Sequence, residues 1–261
     1  MAPSIVTQGL DEAGVQAYHR ACGLPDGDNQ AFVLYLAALT LPAFITTARA
    51  VTPPEAHAAG LHVGHAITLA RPLAIGSALT TRIGPPSQRG PHGELVTVAA
   101  TTEDEGGNVT AQQSATFYFR DPAPAPQPPA QPSPPPPSGI TTRFPAGTAQ
   151  AYASAAGDTI AIHTDPAAAR AAGLSRPIAQ GLCTLAFVAA AAAQARSIPP
   201  RQLTSVRARF TDVVYWDDTL HTQLTEENAA GVGFASHTTD GRRVLDHGHL
   251  EWDAHPTKEQ A

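Results

Sequence analysis

The most constraining feature of the sequence is a proline-rich segment near its middle. The segment occupies Asp121–Ser138 and reads DPAPAPQPPAQPSPPPPS. Proline at this density excludes a helix or a central strand and favours an extended polyproline conformation. At about 3.1 Å per residue, such a segment spans roughly 55 Å, which is enough to cross one face of a domain. The sequence therefore predicts a linker between an N-terminal unit, residues 1–120, and a C-terminal unit, residues 139–261.

The two units follow the same pattern. In each, a tyrosine precedes a glycine by five residues: Tyr18 and Gly23 in the first unit, Tyr152 and Gly157 in the second. A mostly apolar helical stretch comes next, and period-2 strands complete each unit. The elements are Phe32–Thr47, Leu95–Thr102 and Val109–Phe119 in the first unit, and Leu182–Ala195, Leu220–Thr225, Gly233–Thr238 and Val244–Trp252 in the second. This repeat indicates an α+β architecture in which each antiparallel sheet wraps a helix.

Composition and charge exclude several classes of protein. The chain has 261 residues and a formal net charge of −6, whereas general nucleic-acid-binding proteins are normally basic. Cys22 and Cys183 lie far apart and do not suggest a disulfide framework. The apolar stretches Phe32–Ile45 and Leu182–Ala195 are shorter than the roughly 20 residues needed to cross a bilayer, and the first residues do not resemble a signal peptide. We therefore predict a cytoplasmic protein that binds neither nucleic acid nor membrane.

Residues 152–185 carry the candidate chemistry. Asp158 and His163 lie five residues apart, and Pro177–Gly181 leads directly into the second apolar helix. A carboxylate and an imidazole held close together can grip one water molecule and move protons in both directions. A glycine at a helix start exposes backbone N–H groups, which suit a thioester carbonyl oxygen that gains negative charge. These parts predict the addition of water next to a thioester, or its elimination.

Each of these residues also has a purely structural interpretation. Asp158 is of a type that caps helices or closes Asx turns, and His163 is compatible with a hydrogen-bonded core histidine. Gly181 alone is a weak signal, because many helices begin near glycine. Asp165, which is followed by proline and the run AAARAA, predicts the cap of a surface helix and receives no catalytic role.

The segment resembles the MaoC-like, (R)-specific enoyl-CoA hydratase family, or hydratase 2. The family motif has the form Tyr-Ala…Ser-Gly-Asp-x-Asn-Pro-aliphatic-His-x-Asp, followed by Ala-Gly…Pro-Ile-Ala-His-Gly. The matching residues are Tyr152, Ala153, Gly157, Asp158, Ile162, His163, Asp165, Ala172, Gly173, Pro177, Ile178, Ala179 and Gly181. A looser resemblance extends over residues 144–252.

This resemblance implies a fold and a role for particular residues. The family has the hotdog fold, so the repeat implies a double hotdog whose catalysis lies in the C-terminal unit and whose N-terminal unit shapes the acyl pocket. Asp158 and His163 would hold the water as the catalytic pair, and the Gly181 N–H would polarise the thioester carbonyl. The equivalent positions in the first unit, Leu24 and Asn29, cannot do the same work. No metal or redox cofactor is implied.

Two departures from the family motif point to a specialised substrate. Ile160 and Ala161 replace the Asn-Pro of the family, and Gln180 replaces its second His. Because these positions lie near the reacting centre in the family, we assign Ile160 and Gln180 to the substrate-binding surface. Ile160 cannot form the side-chain hydrogen bond that an asparagine would form.

Other charged residues suggest how a carrier is bound. Six arginines and no acidic residue occur from Arg170 to Phe210. They would meet the phosphates of CoA or of a phosphopantetheinyl carrier, with Arg176 as a substrate-binding residue, or they would form a solvated basic face. The six are Arg170, Arg176, Arg196, Arg201, Arg207 and Arg209. The pairs His62/His65 and His247/His249 lack acidic or cysteine partners at zinc spacing, so we predict no metal site.

The leading hypothesis is a lyase that interconverts a 3-hydroxyacyl thioester and its 2-enoyl form, carried by CoA or an acyl carrier protein. Hotdog units usually pair, within one chain or as a homodimer. One alternative is a pathway-specific dehydratase or cyclase acting on a polyketide-like chain, which the changes at Ile160 and Gln180 favour. Another is a non-catalytic acyl-binding subunit, against which the intact Asp158 and His163 argue. A thioesterase is less favoured, because the motif points to hydration.

Overall fold

The computed structural model describes residues 4–25, 29–90, 94–119, 139–228 and 230–253. Within these residues, eleven strands form one sheet in which neighbouring strands run antiparallel. Helices pack against this sheet, so the predicted α+β class is confirmed. The segment 121–138 lies outside the described residues, and its role as a linker stays a prediction.

Both halves of the chain have the same order of elements: one strand, then helices, then a run of strands. The first half contains β1 (Ser4–Gly9), α1 (Glu12–Ala21), α2 (Val33–Arg49), β2 (Leu61–Leu69), β3 (Ala78–Ile83), β4 (Ser87–Arg89), β5 (Leu95–Asp104) and β6 (Val109–Tyr118). The second contains β7 (Ile140–Thr142), α3 (Thr148–Ala156), α4 (Pro166–Ala171), α5 (Gly181–Ala195), β8 (Leu203–Phe210), β9 (Leu220–Asn228), β10 (Gly231–Thr238) and β11 (Arg243–Trp252). Short 3-10 turns lie at Pro54–Ala59, Ala161–His163 and Pro200–Gln202.

The strand order shows how the halves join. The sheet runs β1-β3-β5-β6-β2 through the first half and β8-β11-β10-β9-β7 through the second, and β4 pairs with β5 beside this path. The second series is the first in reverse, with β2 and β8 as neighbours. These two strands pair antiparallel from Gly64 opposite Arg209 to Thr68 opposite Ser205. The halves therefore share one continuous sheet.

The apolar helices of both halves form the core. Helix α5 reads GLCTLAFVAAAAAQA, and most of its side chains are buried on every face, as are those of α2. A helix that is apolar all round must be covered all round, and alanine allows strands and helices to approach closely. Within the described part of the chain, no helix is long and apolar enough to cross a membrane.

A second contact between the halves joins α1 to α3. The rings of Tyr18 and Tyr152 are buried with their centroids 5.6 Å apart, so the two tyrosines of the sequence repeat meet at this junction. The repeat thus places equivalent residues of the two halves against each other.

The two cysteines form no disulfide: Cys22 and Cys183 are buried free thiols.

Candidate active site

Asp158 and His163 lie on an irregular segment between two helices. Helix α3 ends at Ala156 and is capped by Gly157, whose φ of +70° lies in the left-handed region that favours glycine. Asp158 follows directly, and the 3-10 turn at Ala161–His163 brings the imidazole back towards the carboxylate. Asp165 then caps α4 by accepting a hydrogen bond from Ala167 N–H at 2.7 Å, which confirms its structural role.

The carboxylate and the imidazole face each other. His163 Nε2 lies 4.0 Å from Asp158 Oδ2, and the side chains are 10% and 15% exposed. His163 Nδ1 lies 2.9 Å from the carbonyl oxygen of Ile178, which can only accept a hydrogen bond, so Nδ1 donates. This contact leaves Nε2 as the ring nitrogen that faces the carboxylate. One ring nitrogen is therefore held structurally, as in a core histidine, while the other is free for chemistry.

Burial changes the acidity of this pair. Burial raises the pKa of Asp158 above its ordinary value, and this effect outweighs the opposing effects of His163 and of a hydrogen bond from the Ile160 N–H. The Asp158 side chain thus also makes the local turn contact that the structural interpretation predicts. A raised pKa brings a carboxyl group closer to the range in which it can both accept and release protons.

The pair borders an apolar cavity of about 190 Å³ between the two halves. The first half contributes part of the wall through α2, β2 and the end of β6. The second half contributes the remainder, with Gly181 at the start of α5. The lining residues are Leu41, Ile45, Arg49, Gly60, Leu61, His62, Phe117, Phe119, Asp158, Ile160, Ile162, His163, Ile178, Ala179, Gly181, Leu182, Thr184, Phe210, Asp212, Val213, Val214, Val244 and Leu245. A cavity with a buried acid–base pair in an apolar wall is typical of a ligand site.

Gly181 has the geometry that the helix-start hypothesis requires. As the first residue of α5, it has an N–H group without a partner four residues earlier in the helix. A Cβ atom at this position would lie 3.3 Å from Phe210 Cε1, so a side chain would press on another residue of the cavity wall. The glycine keeps the backbone accessible from the cavity.

The three predicted substrate-binding residues occupy different surroundings. Ile160 lines the cavity and is 47% exposed. Gln180 is buried, and its Nε2 donates to the backbone oxygen of Asp158 at 3.3 Å. Arg176 is exposed outside the cavity wall, where it pairs with Asp217 at 2.8 Å and its guanidinium lies 4.0 Å from the centroid of the Tyr215 ring.

The other predicted phosphate-binding arginines also lie outside the cavity wall. Arg170, Arg196, Arg201, Arg207 and Arg209 are exposed, and the last two project from β8. The polar residues that line the cavity include Arg49, Asp212 and His62, none of which belongs to the family motif. No local pattern of the sequence indicates the position of His62, because its neighbours Phe117 and Phe210 are distant in sequence.

Comparisons with known proteins identify the family. Residues 126–246 match the family model of the MaoC like domain. The chain is 31% identical over 212 residues to 3-hydroxyacyl-thioester dehydratase X of Mycobacterium tuberculosis, a match that covers 78% of this chain and 69% of that protein.

Solved structures show the same fold. A MaoC-like dehydratase from Phytophthora capsici superposes with a TM-score of 0.77 at 21% identity, over 98% of this chain and 97% of that one. A Mycobacterium tuberculosis protein described as a double hotdog superposes with a TM-score of 0.62 at 15% identity, over 97% of this chain and 96% of that one. The predicted double hotdog is thus confirmed, and the chain belongs to the MaoC-like dehydratase family.

Proposed function

We propose that this protein interconverts 3-hydroxyacyl and 2-enoyl thioesters by reversible addition of water, with Asp158 and His163 as the catalytic pair. The related mycobacterial protein is named a 3-hydroxyacyl-thioester dehydratase, which supports this reaction class. The observation that carries the proposal is the approach of His163 Nε2 to Asp158 Oδ2, at 4.0 Å, in the wall of an apolar cavity.

The pair has the spacing to hold one water molecule. A water oxygen at hydrogen-bonding distance from both Asp158 Oδ2 and His163 Nε2 would lie at the cavity wall. In hydration, the water oxygen bonds to C3 while one member of the pair takes its proton, and C2 receives a proton from the protonated member. In dehydration the same bonds form and break in reverse. Because the two groups face each other, the acid and base roles belong to the pair and not to either residue alone.

Gly181 would stabilise the negative charge that the reaction creates on the thioester carbonyl oxygen. As C2 gains or loses a proton, negative charge develops on the thioester carbonyl oxygen. The Gly181 N–H at the start of α5, with the positive end of the helix dipole behind it, would stabilise this charge. The acyl chain would then lie along the apolar wall of the cavity.

The proposal divides the work between the two units. Residues 139–261 would carry out the chemistry, and residues 1–120 would form part of the acyl pocket, with 121–138 as the linker. Ile160 would contact the acyl group, since it lines the cavity, and Gln180 would position the Asp158 backbone through its hydrogen bond. Arg176 would approach the phosphates of CoA or of a carrier protein in the cytoplasm.

The test is the loss of the ultraviolet absorbance of the conjugated thioester crotonyl-CoA with the purified protein. We expect wild type to remove the signal and Asp158→Asn to be slower by at least about a hundredfold, because the amide cannot take a proton. Asp165→Asn is the matched control, since this carboxylate lies in the same segment and caps α4.

Two outcomes would change the proposal. Turnover by Asp158→Asn at the wild-type rate would exclude the catalytic pair. Inactivity of wild type on crotonyl-CoA, together with dehydration of a longer carrier-bound 3-hydroxyacyl chain, would favour the pathway-specific dehydratase.

A further inference from the structure

The loop that joins β8 to β9, residues 211–219, borders the segment that carries His163. The Trp216 indole N–H donates to the His163 backbone oxygen at 2.9 Å. The Val214 carbonyl oxygen accepts a hydrogen bond from the Ala179 N–H at 2.7 Å, next to the residue whose carbonyl oxygen bonds the His163 ring. The loop therefore supports both the backbone and the ring of this histidine.

The side chain of Arg242 holds this loop from the turn between β10 and β11. Its Nη1 donates to the Val213 carbonyl oxygen at 2.7 Å, and its Nη2 donates to Asp218 Oδ2 at 2.9 Å. The same Asp218 oxygen accepts a hydrogen bond from the Tyr215 N–H at 2.9 Å. One guanidinium group thus connects the beginning and the end of the part of the loop that contacts the active site.

This contact depends on the shape of the guanidinium group as well as on its charge. The side chains of Arg242 and Asp218 are only 22% and 13% exposed, so the ion pair is sheltered from water. Removal of one partner would leave the other charge partly buried and unpaired. A lysine would keep the charge, but its ammonium group lacks the planar fork that bonds two acceptors at once.

The loop matters for the chemistry because it fixes which ring nitrogen of His163 faces the carboxylate. His163 Nδ1 lies 2.9 Å from the Ile178 carbonyl oxygen, and this contact leaves Nε2 facing Asp158. Ile178 is bridged antiparallel to Tyr215 of the loop. Movement of the loop would therefore release the acceptor of Nδ1, and the ring could adopt the other tautomer or turn away.

We infer that Arg242 is a positioning residue, which fixes the tautomer and the orientation of His163 by holding the β8–β9 loop. This inference rests on the proposed function, because it treats His163 as a reacting group. Arg242 lies outside the cavity wall, so it acts through the loop and not on the substrate. A small displacement of a reacting group is enough to slow a reaction strongly.

The experiment compares Arg242→Gln and Arg242→Lys with wild type. NMR of protein labelled at the histidine ring nitrogens reports the tautomer of His163, whose signals are assigned by their absence in His163→Gln. Steady-state hydration of crotonyl-CoA gives kcat and KM. Arg243→Gln is the matched control, because its neighbouring side chain contacts His237 and Asp246 instead of the loop.

We expect wild-type His163 to carry its proton on Nδ1, and the folded Arg242→Gln protein to show a mixture of both tautomers. In this variant kcat should fall by about tenfold while KM stays within about twofold, because no substrate contact is lost. Arg242→Lys should lie between this variant and wild type, and Arg243→Gln should match wild type. A loss of stability alone would not change the tautomer of the folded protein.

A wild-type ring protonated on Nε2 alone would overturn the inference even if neither variant folded. An unchanged tautomer with an unchanged kcat in Arg242→Gln would also overturn it, and Arg242→Lys decides in the same way if Arg242→Gln does not fold. Failure of wild type to hydrate crotonyl-CoA would count against the proposed function alone, because the tautomer is measured without turnover.

Discussion

The buried carboxylate of Asp158 illustrates a conflict between stability and chemistry at the scale of one residue. Burial raises the pKa of Asp158 in the folded protein. The unfolded chain therefore loses this proton at lower pH, and the free energy of unfolding falls as the pH rises from the ordinary aspartate pKa through the raised one. Under the proposed mechanism, the carboxylate that takes part in catalysis thus lowers the stability of the fold at neutral pH.

Asp158→Asn should be more thermally stable than wild type at neutral pH, because the amide carries no charge to bury. The difference should shrink as the pH falls below the ordinary range of aspartate, where both folded and unfolded wild type are protonated. Thermal unfolding followed by circular dichroism between about pH 3 and about pH 8 measures both effects. A lower melting temperature for the variant across this whole range would contradict the argument.

At the scale of the element, the segment that carries His163 is held by contacts from outside it. The Trp216 indole N–H donates to the His163 backbone oxygen at 2.9 Å, and the Ile178 N–H donates to the Ile162 oxygen at 3.3 Å. Trp216 also packs edge-on against Phe144, with ring centroids 5.4 Å apart. A short 3-10 turn has few bonds of its own, so these contacts set its position.

Trp216→Phe should therefore lower kcat by about tenfold and the free energy of unfolding by about 1 kcal/mol, because it removes one hydrogen bond and retains an aromatic ring. KM should change less than kcat, since Trp216 lies outside the cavity wall. Trp252→Phe, on β11, is the control and should leave kcat unchanged. Steady-state kinetics beside chemical denaturation would test this, and an unchanged kcat for Trp216→Phe would exclude the positioning role.

Neighbouring strands determine where each strand ends. The sequence predicts a strand over Leu220–Thr225, whereas β9 continues to Asn228 because Asn228 pairs with Gly231 of β10. Similarly, β5 extends two residues beyond Thr102 through its pairing with β3 and β6. Local alternation of apolar residues indicates that a strand exists, but its length depends on the partner.

At the scale of the whole molecule, the shared sheet and the shared cavity join the two halves. The pairing of β2 with β8 includes a hydrogen bond between the hydroxyl groups of Thr68 and Ser205 at 3.1 Å. Separation would expose two strand edges together with the apolar wall of the cavity. The halves are therefore bound by contacts that do not involve the segment 121–138.

A protease site introduced into 121–138 tests this conclusion. After cleavage, the two fragments should co-elute in size-exclusion chromatography and retain most hydratase activity, because the sheet and α1–α3 contacts persist. Residues 139–261 expressed alone should be inactive and should aggregate, since they lack part of the cavity wall and expose β8. Dissociation of the cleaved fragments in native buffer would show that the covalent connection is required.

The sequence by itself determined the class of fold and the repeat, and it predicted the proposed catalytic pair. These features are local: apolar periodicity indicates the elements, and Asp158, His163 and Gly181 all lie in one motif of the second half. Asp158 and His163 are only five residues apart, which limits how far their side chains can separate. The sequence motif is therefore sufficient to predict their contact.

Only the tertiary structure decided which distant residues share the cavity and which charges are already paired. His62 meets Phe117 and Phe210 because three strands adjoin at the centre of one sheet, a proximity that no local pattern encodes. Arg176 stands in a segment without acidic residues, yet it pairs with Asp217, 41 residues later. The pairing of distant strands in one sheet sets these long-range contacts. Burial of the whole apolar core supplies the free energy that stabilises them.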